Sequence, residues 1–339
     1  MITHENRRAN RALALLAGIL LALFLASFWF GRYGMDIPTT LRILFSRIFP
    51  IQKDWDPNLE TAVINIRLPR IVMACLVGCS LSAAGAAYQG VFQNPMASPD
   101  ILGASSGAAF GAALAILLGF GNAGITISAF FFSLLTVALV YLIGQRAQGK
   151  RILNLVLAGM VVSSLFTAGT SYIKLVADPT NQLPAITYWL MGSLSGVRMT
   201  KVLYIFPVML LGLVPLFLLR WKINLLTLGD EEAQAMGIHP VRLRFVIVIC
   251  ATLVTSASIS VAGTIGWVGL VVPHLSRKLT GSNFKKLLPA SMLAGAAFLL
   301  LVDDLSRNLL ATEIPIGILT AFIGAPFFLY MMLRKEGVH

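Results

Sequence analysis

The stretch "IVMACLVGCSLSAAGAAYQGVFQNPMASP" (71–99) contains no charged side chain, and it is longer than the roughly 20 residues that a helix needs to cross a bilayer. The whole chain of 339 residues has the same character, with 57% hydrophobic and 12% charged residues and a mean hydropathy of +0.83. A soluble domain has about 25% charged residues. The sequence therefore predicts an all-α integral membrane protein.

The charge-free runs predict ten transmembrane helices. Two of these runs each hold two helices, because "GFGN" (119–122) and "AGTIG" (262–266) interrupt them. In chain order the runs are 11–32, 71–99, 101–145, 152–173, 202–219, 245–276, 287–302 and 314–333. We expect a single transmembrane domain over residues 1–339, interrupted by a segment at 32–66 and a second at 221–241.

Lysine and arginine positions predict the orientation, because these residues concentrate on the cytoplasmic side of a membrane protein. If the N-terminus is cytoplasmic, 16 of the 26 basic residues fall on inner segments. Ten spans then return the C-terminus to the cytoplasm, with 32–66 outside and 221–241 inside. A cleaved signal peptide is the alternative for the N-terminus, but its apolar run is longer than a typical signal and lacks a clear cleavage site. The net charge of +12 therefore indicates topology, and no basic patch interleaved with aromatic residues indicates nucleic-acid binding.

The sequence offers little catalytic or metal-binding chemistry. "GQRAQGKR" (144–151) resembles a phosphate-binding loop, but Arg151 stands where a Ser or Thr hydroxyl must hold Mg²⁺. Cys75, Cys79 and Cys250 fall within predicted spans, where small packing residues are common, and His274 is isolated in the sequence. We therefore predict no ATPase site, no enzymatic activity, no cofactor and no metal site in this chain.

The most polar stretch inside the membrane domain is "LLTLGDEEAQAMGIHP" (225–240). Asp230 and Glu231 suit the first turn of a short helix, Gly237 suits its C-terminal cap, and a second short turn is expected to start near Asn224. So short a helix is unstable alone in water and must dock on something. The residues leave two interpretations: a connector resting on its own bundle, or a docking element for a soluble cytoplasmic partner.

Most predicted spans have no acidic or basic residue in their middle, so no proton relay or ion site is visible. Many secondary transporters are built from internal repeats, and this chain has no convincing repeat. An ion-coupled secondary transporter is therefore kept only as a distant alternative.

A series of motifs, in order along nearly the whole chain, resembles the FecCD-type permease subunits of iron-chelate and cobalamin ABC importers. The motifs are "RLPR" (67–70), "GCSLSAAGAAYQGVFQNPMASPDILGASSGA" (78–108), "LAGMVVSSL" (157–165), "WLMGSLSG" (189–196), "INLLTLGDEEAQAMGI" (223–238), "VAGTIGWVGLVVPHLSR" (261–277) and "EIPIGILTAFIGAPFFLYMML" (313–333). The resemblance implies the ten-helix fold of type II ABC importer permeases.

The resemblance also implies partners and a cellular location. We expect a homodimer of this chain in the cytoplasmic membrane of a bacterium or archaeon, with two cytoplasmic ATPase subunits and an extracytoplasmic substrate-binding protein. A ferric siderophore is the leading substrate, and cobalamin, haem and molybdate or tungstate are alternatives.

Carried over residue by residue, the resemblance assigns ATPase coupling to the segment around the acidic helix. The coupling residues are Asn224, Leu225, Leu228, Gly229, Asp230, Glu231, Ala233, Met236 and Gly237.

Three arginines match the family's docking site for the binding protein: Arg67, Arg70 and Arg307. The alternative for the first two is anchoring of snorkelling side chains at the membrane interface. The alternative for Arg307 is an i, i+4 pair with Asp303. Charge reversal at Arg67 or Arg70 is expected to weaken docking with little effect on folding.

In the family, the fifth span lines the pathway along the dimer axis. The matching pathway residues here are Met160, Ser163, Ser164, Thr167, Thr170 and Ser171. The alternative for the Ser and Thr residues is a hydrogen bond from each hydroxyl to the carbonyl four residues earlier. The cytoplasmic gate is expected in the preceding turn, at Ala147, Gln148 and Gly149.

Overall fold

The computed structural model describes residues 2–30, 36–47, 49–148 and 151–333, and within these ranges the chain forms helices and loops without a strand. The helices are α1 (Ile2–Ala26), α2 (Ile37–Phe45), α3 (Pro57–Thr61), α4 (Leu68–Val91), α5 (Ala104–Leu117), α6 (Asn122–Arg146), α7 (Arg151–Val176), α8 (Gln182–Leu190), α9 (Met199–Leu228), α10 (Asp230–Ala235), α11 (Pro240–Ala262), α12 (Val268–Thr280), α13 (Phe284–Asn308) and α14 (Ile316–Leu333). The predicted all-α fold is confirmed.

Seven helices in the described part are long and apolar enough to cross a membrane. They are α1, the continuous helix Pro57–Val91 that contains α3 and α4, and α6, α7, α9, α11 and α13. The other three predicted spans correspond to the shorter helices α5, α12 and α14. By length and composition, the structure thus supports a multi-pass membrane protein with seven full-length spans.

Two predicted boundaries are wrong because helices continue through polar sequence. The span predicted at 202–219 is part of α9, which runs for 30 residues despite containing Pro207 and Pro215. It therefore passes into the segment 221–241. At the other boundary, α3 leads through a π-helical turn, Ala62–Arg67, directly into α4. Part of the predicted outer segment 32–66 is thus the first section of the continuous helix Pro57–Val91.

The break predicted at "AGTIG" (262–266) is confirmed between α11 and α12. Gly263 ends α11 with φ +71°, and Trp267 also has a positive φ of +71° immediately before α12 begins. The Trp267 ring packs edge-on against Phe328 of α14. The contact with α14 thus stabilises the turn of the chain between α11 and α12.

Helix α4 forms the centre of the bundle, because most of its side chains are buried among α9, α11, α12 and α13. Two glycines allow this packing. A Cβ atom on Gly78 would collide with the backbone carbonyl of Gly295 in α13, and one on Gly85 would collide with that of Gly269 in α12. The backbones of these helices are therefore in direct contact, as is common where small residues face each other in membrane proteins.

We expect Gly78→Ala to lower stability, because the added methyl group would meet the backbone of α13 and not a side chain that could rotate away. Overpacking of this kind costs about 1–3 kcal/mol. Circular dichroism during heating in detergent measures the midpoint temperature of unfolding, which should be lower for this variant than for the parent.

The control is Gly18→Ala in α1, where a Cβ atom would have no neighbour within 4 Å. Alanine favours a helix over glycine by about 1 kcal/mol, so this variant should be as stable as the parent or more so. Equal midpoints for Gly78→Ala and the parent would show that the helix contact is not tight.

Candidate functional site

The start of α4 and the end of α13 meet in a buried cluster of charged side chains. Arg70 Nε donates to both carboxylate oxygens of Asp303, at 2.9 and 3.1 Å. Its Nη1 atom donates to both oxygens of Glu313, at 2.9 and 3.0 Å, just before α14 begins. Arg70 and Asp303 are buried, whereas the Glu313 side chain is 33% exposed. Arg70 therefore joins α4 to α13 and to the start of α14.

The same cluster includes the end of α1. Arg307 forms ion pairs with Asp303, at 3.2 Å, and with Asp304. Asp304 also accepts a hydrogen bond of 2.5 Å from the Ser27 hydroxyl, and Arg67 donates to the carbonyl of Phe28. We call these seven residues the arginine cluster: Ser27, Arg67, Arg70, Asp303, Asp304, Arg307 and Glu313.

The arginine cluster brings the three predicted docking arginines together, but all three are buried and bonded within the chain. The i, i+4 pair between Arg307 and Asp303, the alternative for Arg307, is present. The expected small effect of charge reversal on folding does not fit Arg70, since an acid there would face Asp303 and Glu313. Breaking a buried pair costs about 3–5 kcal/mol. The docking role itself stays a prediction.

At the other end of α4 lies the acidic helix α10. Arg244 of α11 forms a bidentate ion pair with Asp230, with N–O distances of 2.9 and 2.7 Å. Its Nε atom also donates to the carbonyl of Val91, the last residue of α4. Gln93 donates to the carbonyl of Leu226 at 2.6 Å. The segment 221–241 is therefore fastened to the end of α4 from both sides.

The ends of α10 are set by two glycines. Gly229, with φ +134°, separates α10 from α9. At the C-terminus, Gly237 has φ +78° and donates to the carbonyl of Gln234, while Ile238 donates to that of Ala233. This pair of bonds is a Schellman motif, so the predicted capping role of Gly237 is confirmed. The second short turn predicted from Asn224 is instead the last part of α9.

The predicted coupling residues divide into a buried and an exposed set. Ala233 and Leu225 are buried, and Asn224 accepts from the backbone of Phe284, which fixes the start of α13. Leu228 and Met236, in contrast, are 57% and 58% exposed. Exposed as well are Asp230, Glu231, Glu232 and Gln234. The segment thus rests on its own bundle with one face and leaves an acidic face with two apolar side chains uncovered.

The predicted pathway residues lie on two faces of α7. Met160, Ser164, Thr167 and Ser171 are exposed and lie at the spacing of a single helix face, whereas Ser163 and Thr170 are more buried. The hydroxyls of Ser164, Thr170 and Ser171 donate to the carbonyls four residues earlier, at 2.9–3.0 Å. The alternative for these three residues is therefore observed, and the exposed face of α7 that carries Ser164 and Ser171 remains compatible with a pathway.

Two of the predicted gate residues, Ala147 and Gln148, are exposed and directly follow the end of α6. Asn154 donates to the carbonyls of Ala147 and Gln148, at 2.9 and 3.3 Å, which fixes the turn. Gly149 lies outside the described residues. Gly144 to Arg146 are helical, so the start of the phosphate-loop-like sequence has the wrong conformation for that function.

Sequence reasoning missed several residues that hold these sites together. Asp304, Glu313, Gln93 and Arg244 come from separate parts of the chain and meet only in the fold. Gln93 and Glu313 lie in the family motifs at 78–108 and 313–333, but neither motif shows which residue its side chain would contact. Among the described residues, no group of three or more His, Cys, Asp and Glu side chains is arranged to hold a metal ion.

Comparison with known proteins agrees with this architecture. The molybdate import system permease protein MolB of Haemophilus influenzae is 39% identical over 330 residues, covering 96% of this chain and 97% of the relative. An iron chelatin transport system permease protein of Helicobacter pylori is 44% identical over 281 residues, covering 83% and 85%. The solved structure of an inward-facing metal-chelate type ABC transporter superposes with a TM-score of 0.86 at 38% identity, covering 96% of this chain and 99% of that one.

The model of the FecCD transport family matches residues 19–334, almost the whole chain. Its members are membrane permeases that leave ATP hydrolysis to separate subunits. The chain belongs to the FecCD transport family and is a multi-pass permease of the metal-chelate class of ABC importers.

Proposed function

We propose that this chain is the membrane subunit of an ATP-driven importer that receives a metal chelate, with a ferric siderophore as the leading substrate, from a binding protein and passes it into the cytoplasm. The observation that carries the proposal is the uncovered face of α10, fastened to one end of α4 while the arginine cluster holds the other. The assembly would contain two copies of this chain and two ATPase subunits in a bacterial or archaeal cytoplasmic membrane, with both termini cytoplasmic.

The role proposed for α10 is to transmit force from the ATPase. A helix of six residues has almost no stability of its own, so its position is set by the bidentate pair between Asp230 and Arg244. Leu228 and Met236 flank the acidic face and would enter a groove of the ATPase. Because Arg244 also holds the end of α4, motion of α10 would reach the centre of the bundle as a rigid-body shift.

The arginine cluster is the proposed docking site for the binding protein. Its arginines are neutralised within the chain, so an incoming acidic side chain would have to exchange with one of their own carboxylates. Glu313 is the candidate for exchange because it is partly exposed, while Asp303 is fully buried. The buried Nη2 atom of Arg70 has no hydrogen-bond partner among the residues that the structure describes, and it would bond the incoming carboxylate once the exchange opened the site. Such an exchange would permit reversible docking.

The pathway proposed along the dimer axis is lined by the exposed face of α7. Its hydroxyls are largely occupied by backbone carbonyls, as at Ser164 and Ser171. They would therefore offer few free hydrogen-bond donors to a passing chelate, which suits a pathway that binds its substrate weakly. Ser163 and Thr170 would lie at its flank. The turn at Ala147 and Gln148, continuing to Gly149, is the proposed cytoplasmic gate.

The substrate is best tested on the importer's own binding protein, because selection would occur there. We expect it to bind a ferric siderophore at least about tenfold more tightly than cobalamin, haem or molybdate, a difference of about 1.4 kcal/mol. Calorimetric titration measures all four. Tighter binding of molybdate, which the name of one relative mentions, would replace the siderophore but leave the importer assignment intact.

We expect Leu228→Ala combined with Met236→Ala to weaken ATPase binding at least about tenfold, since both exposed side chains would lose their apolar contacts in the partner. The measurement is co-purification of the ATPase with the permease, together with substrate uptake in proteoliposomes. Thermal stability of the permease alone should not change.

The matched control is Leu203→Ala, which removes an equally exposed leucine from the opposite end of α9. It should leave ATPase binding and uptake intact. Normal co-purification of the ATPase with the variant carrying both Leu228→Ala and Met236→Ala would contradict the coupling role.

We expect Glu313→Gln to strengthen docking of the binding protein by about two- to tenfold, because it removes the exchangeable carboxylate from Arg70. Surface plasmon resonance with the reconstituted permease measures the affinity. Arg70 keeps its buried pair with Asp303 in this variant, so folding should be little affected.

Glu60→Gln is the matched control, since Glu60 pairs with Arg47 and Lys53 outside the arginine cluster. Its docking affinity should equal that of the parent. If Glu313→Gln weakens docking or leaves it unchanged, the carboxylate exchange does not occur and the cluster is purely structural.

A further inference from the structure

A groove of about 1300 Å³ opens on the side of the bundle, at the end that carries the arginine cluster. Its walls come from the start of α6 and the start of α9, with α8 at its end and the last turn of α11 as its floor. Ile127 and Tyr204, on opposite walls, are 68% and 80% exposed. The groove therefore faces outward from this chain, and no functional role described above uses it.

Two cationic side chains line the groove near the start of α9. Arg198 is exposed, and Lys201 is partly buried with its ammonium donating to the carbonyl of Val261 at 3.2 Å. In the described part of the chain, neither residue forms an ion pair with an acidic side chain. An ammonium group has three donors, and a carbonyl accounts for only one of them. The groove thus carries two uncompensated positive charges.

The groove is polar at one end and apolar at the other. Arg198 and Lys201 lie where α9 begins, together with the aromatic side chain of Tyr188. Ile127, Phe130 and Val208 line the part toward the middle of the bundle. Val208 is nine residues past the start of α9, about 14 Å along the axis at 1.5 Å per residue. An anionic head with an apolar tail of about this length therefore fits both ends of the groove.

We propose that this groove binds an anionic phospholipid, with its phosphodiester headgroup on Arg198 and Lys201 and an acyl chain along Ile127, Phe130 and Val208. Charge complementarity selects the headgroup. The volume also exceeds the 300–1000 Å³ typical of pockets for drug-sized ligands, which suits a larger amphiphile. The aromatic side chains at the polar end match the interfacial level of a bilayer, where Tyr and Trp concentrate. The lipid would seal the gap between α6 and α9 above α11.

Lys201 has a simpler alternative role, because a cation near the last carbonyls of α11 stabilises the end of that helix. That role involves neither Arg198 nor the chemistry of a lipid headgroup. It also predicts no difference between anionic and zwitterionic lipids. The two accounts can therefore be separated by measuring headgroup selectivity.

The experiment measures lipid retention on the purified full-length chain by native mass spectrometry, after exchange into detergent with either dioleoylphosphatidylglycerol or dioleoylphosphatidylcholine. We expect phosphatidylglycerol to be retained and phosphatidylcholine to be lost. Arg198→Gln and Lys201→Gln should each lower retention of phosphatidylglycerol about fivefold, as expected for one lost basic contact. Lys201→Arg should keep it. Lys174→Gln, at the same end of the bundle but outside the groove, is the matched control and should behave as the parent.

Arg198 is exposed, so Arg198→Gln should fold normally and provides the decisive variant even if Lys201→Gln does not. Equal retention of both lipids, or unchanged retention by Arg198→Gln, would overturn the proposal. Displacement of phosphatidylglycerol by millimolar inorganic phosphate would overturn it in favour of a small-anion site. Retention lost equally in Lys174→Gln would show only a general charge effect, which would also overturn it.

Discussion

The direct contact of helix backbones around α4 is the constraint on which the rest of the structure depends. Gly78 and Gly85 place α4 against the carbonyls of Gly295 and Gly269, so no side chain lies between the helices at these points. A contact made by backbones has no side-chain rotamers through which it could yield. We therefore infer that α4, α12 and α13 move as one body, and that movement of the permease occurs at the edges of this body.

An arginine holds each end of α4, and the two ion pairs differ in how deeply they are buried. At one end Arg70 is buried with Asp303, where the cost of desolvating both charges is high and removing either partner would cost more. At the other end Arg244 pairs with the half-exposed Asp230, which costs little to form or break. The buried arrangement suits a fixed joint between helices. The exposed arrangement suits the coupling role proposed for α10, in which the contact would pass motion to α4 each time the ATPase binds and releases.

Local sequence signals predicted local features well. The capping role of Gly237 and the break near Gly263 follow from backbone conformations that glycine adopts easily, and both are present. The i, i+4 pair of Asp303 and Arg307 also follows from helix geometry. The predicted span ends before Arg220 and Lys222, but α9 continues past both residues, because charged side chains at a membrane interface do not interrupt a helix.

What the sequence could not reveal is the pairing of distant side chains. Arg70 and Asp303 are 233 residues apart, and nothing in either motif shows that the arginine would be neutralised from within. The family resemblance assigned Arg67, Arg70 and Arg307 to docking without showing all of their partners within the chain. In the folded chain these arginines are buried at helix ends, and a buried basic side chain without a partner costs more free energy than one paired with a carboxylate. In the proposed docking, a partner would have to compete with carboxylates already in place, so its affinity would depend on the weakest internal ion pair and not on the number of arginines.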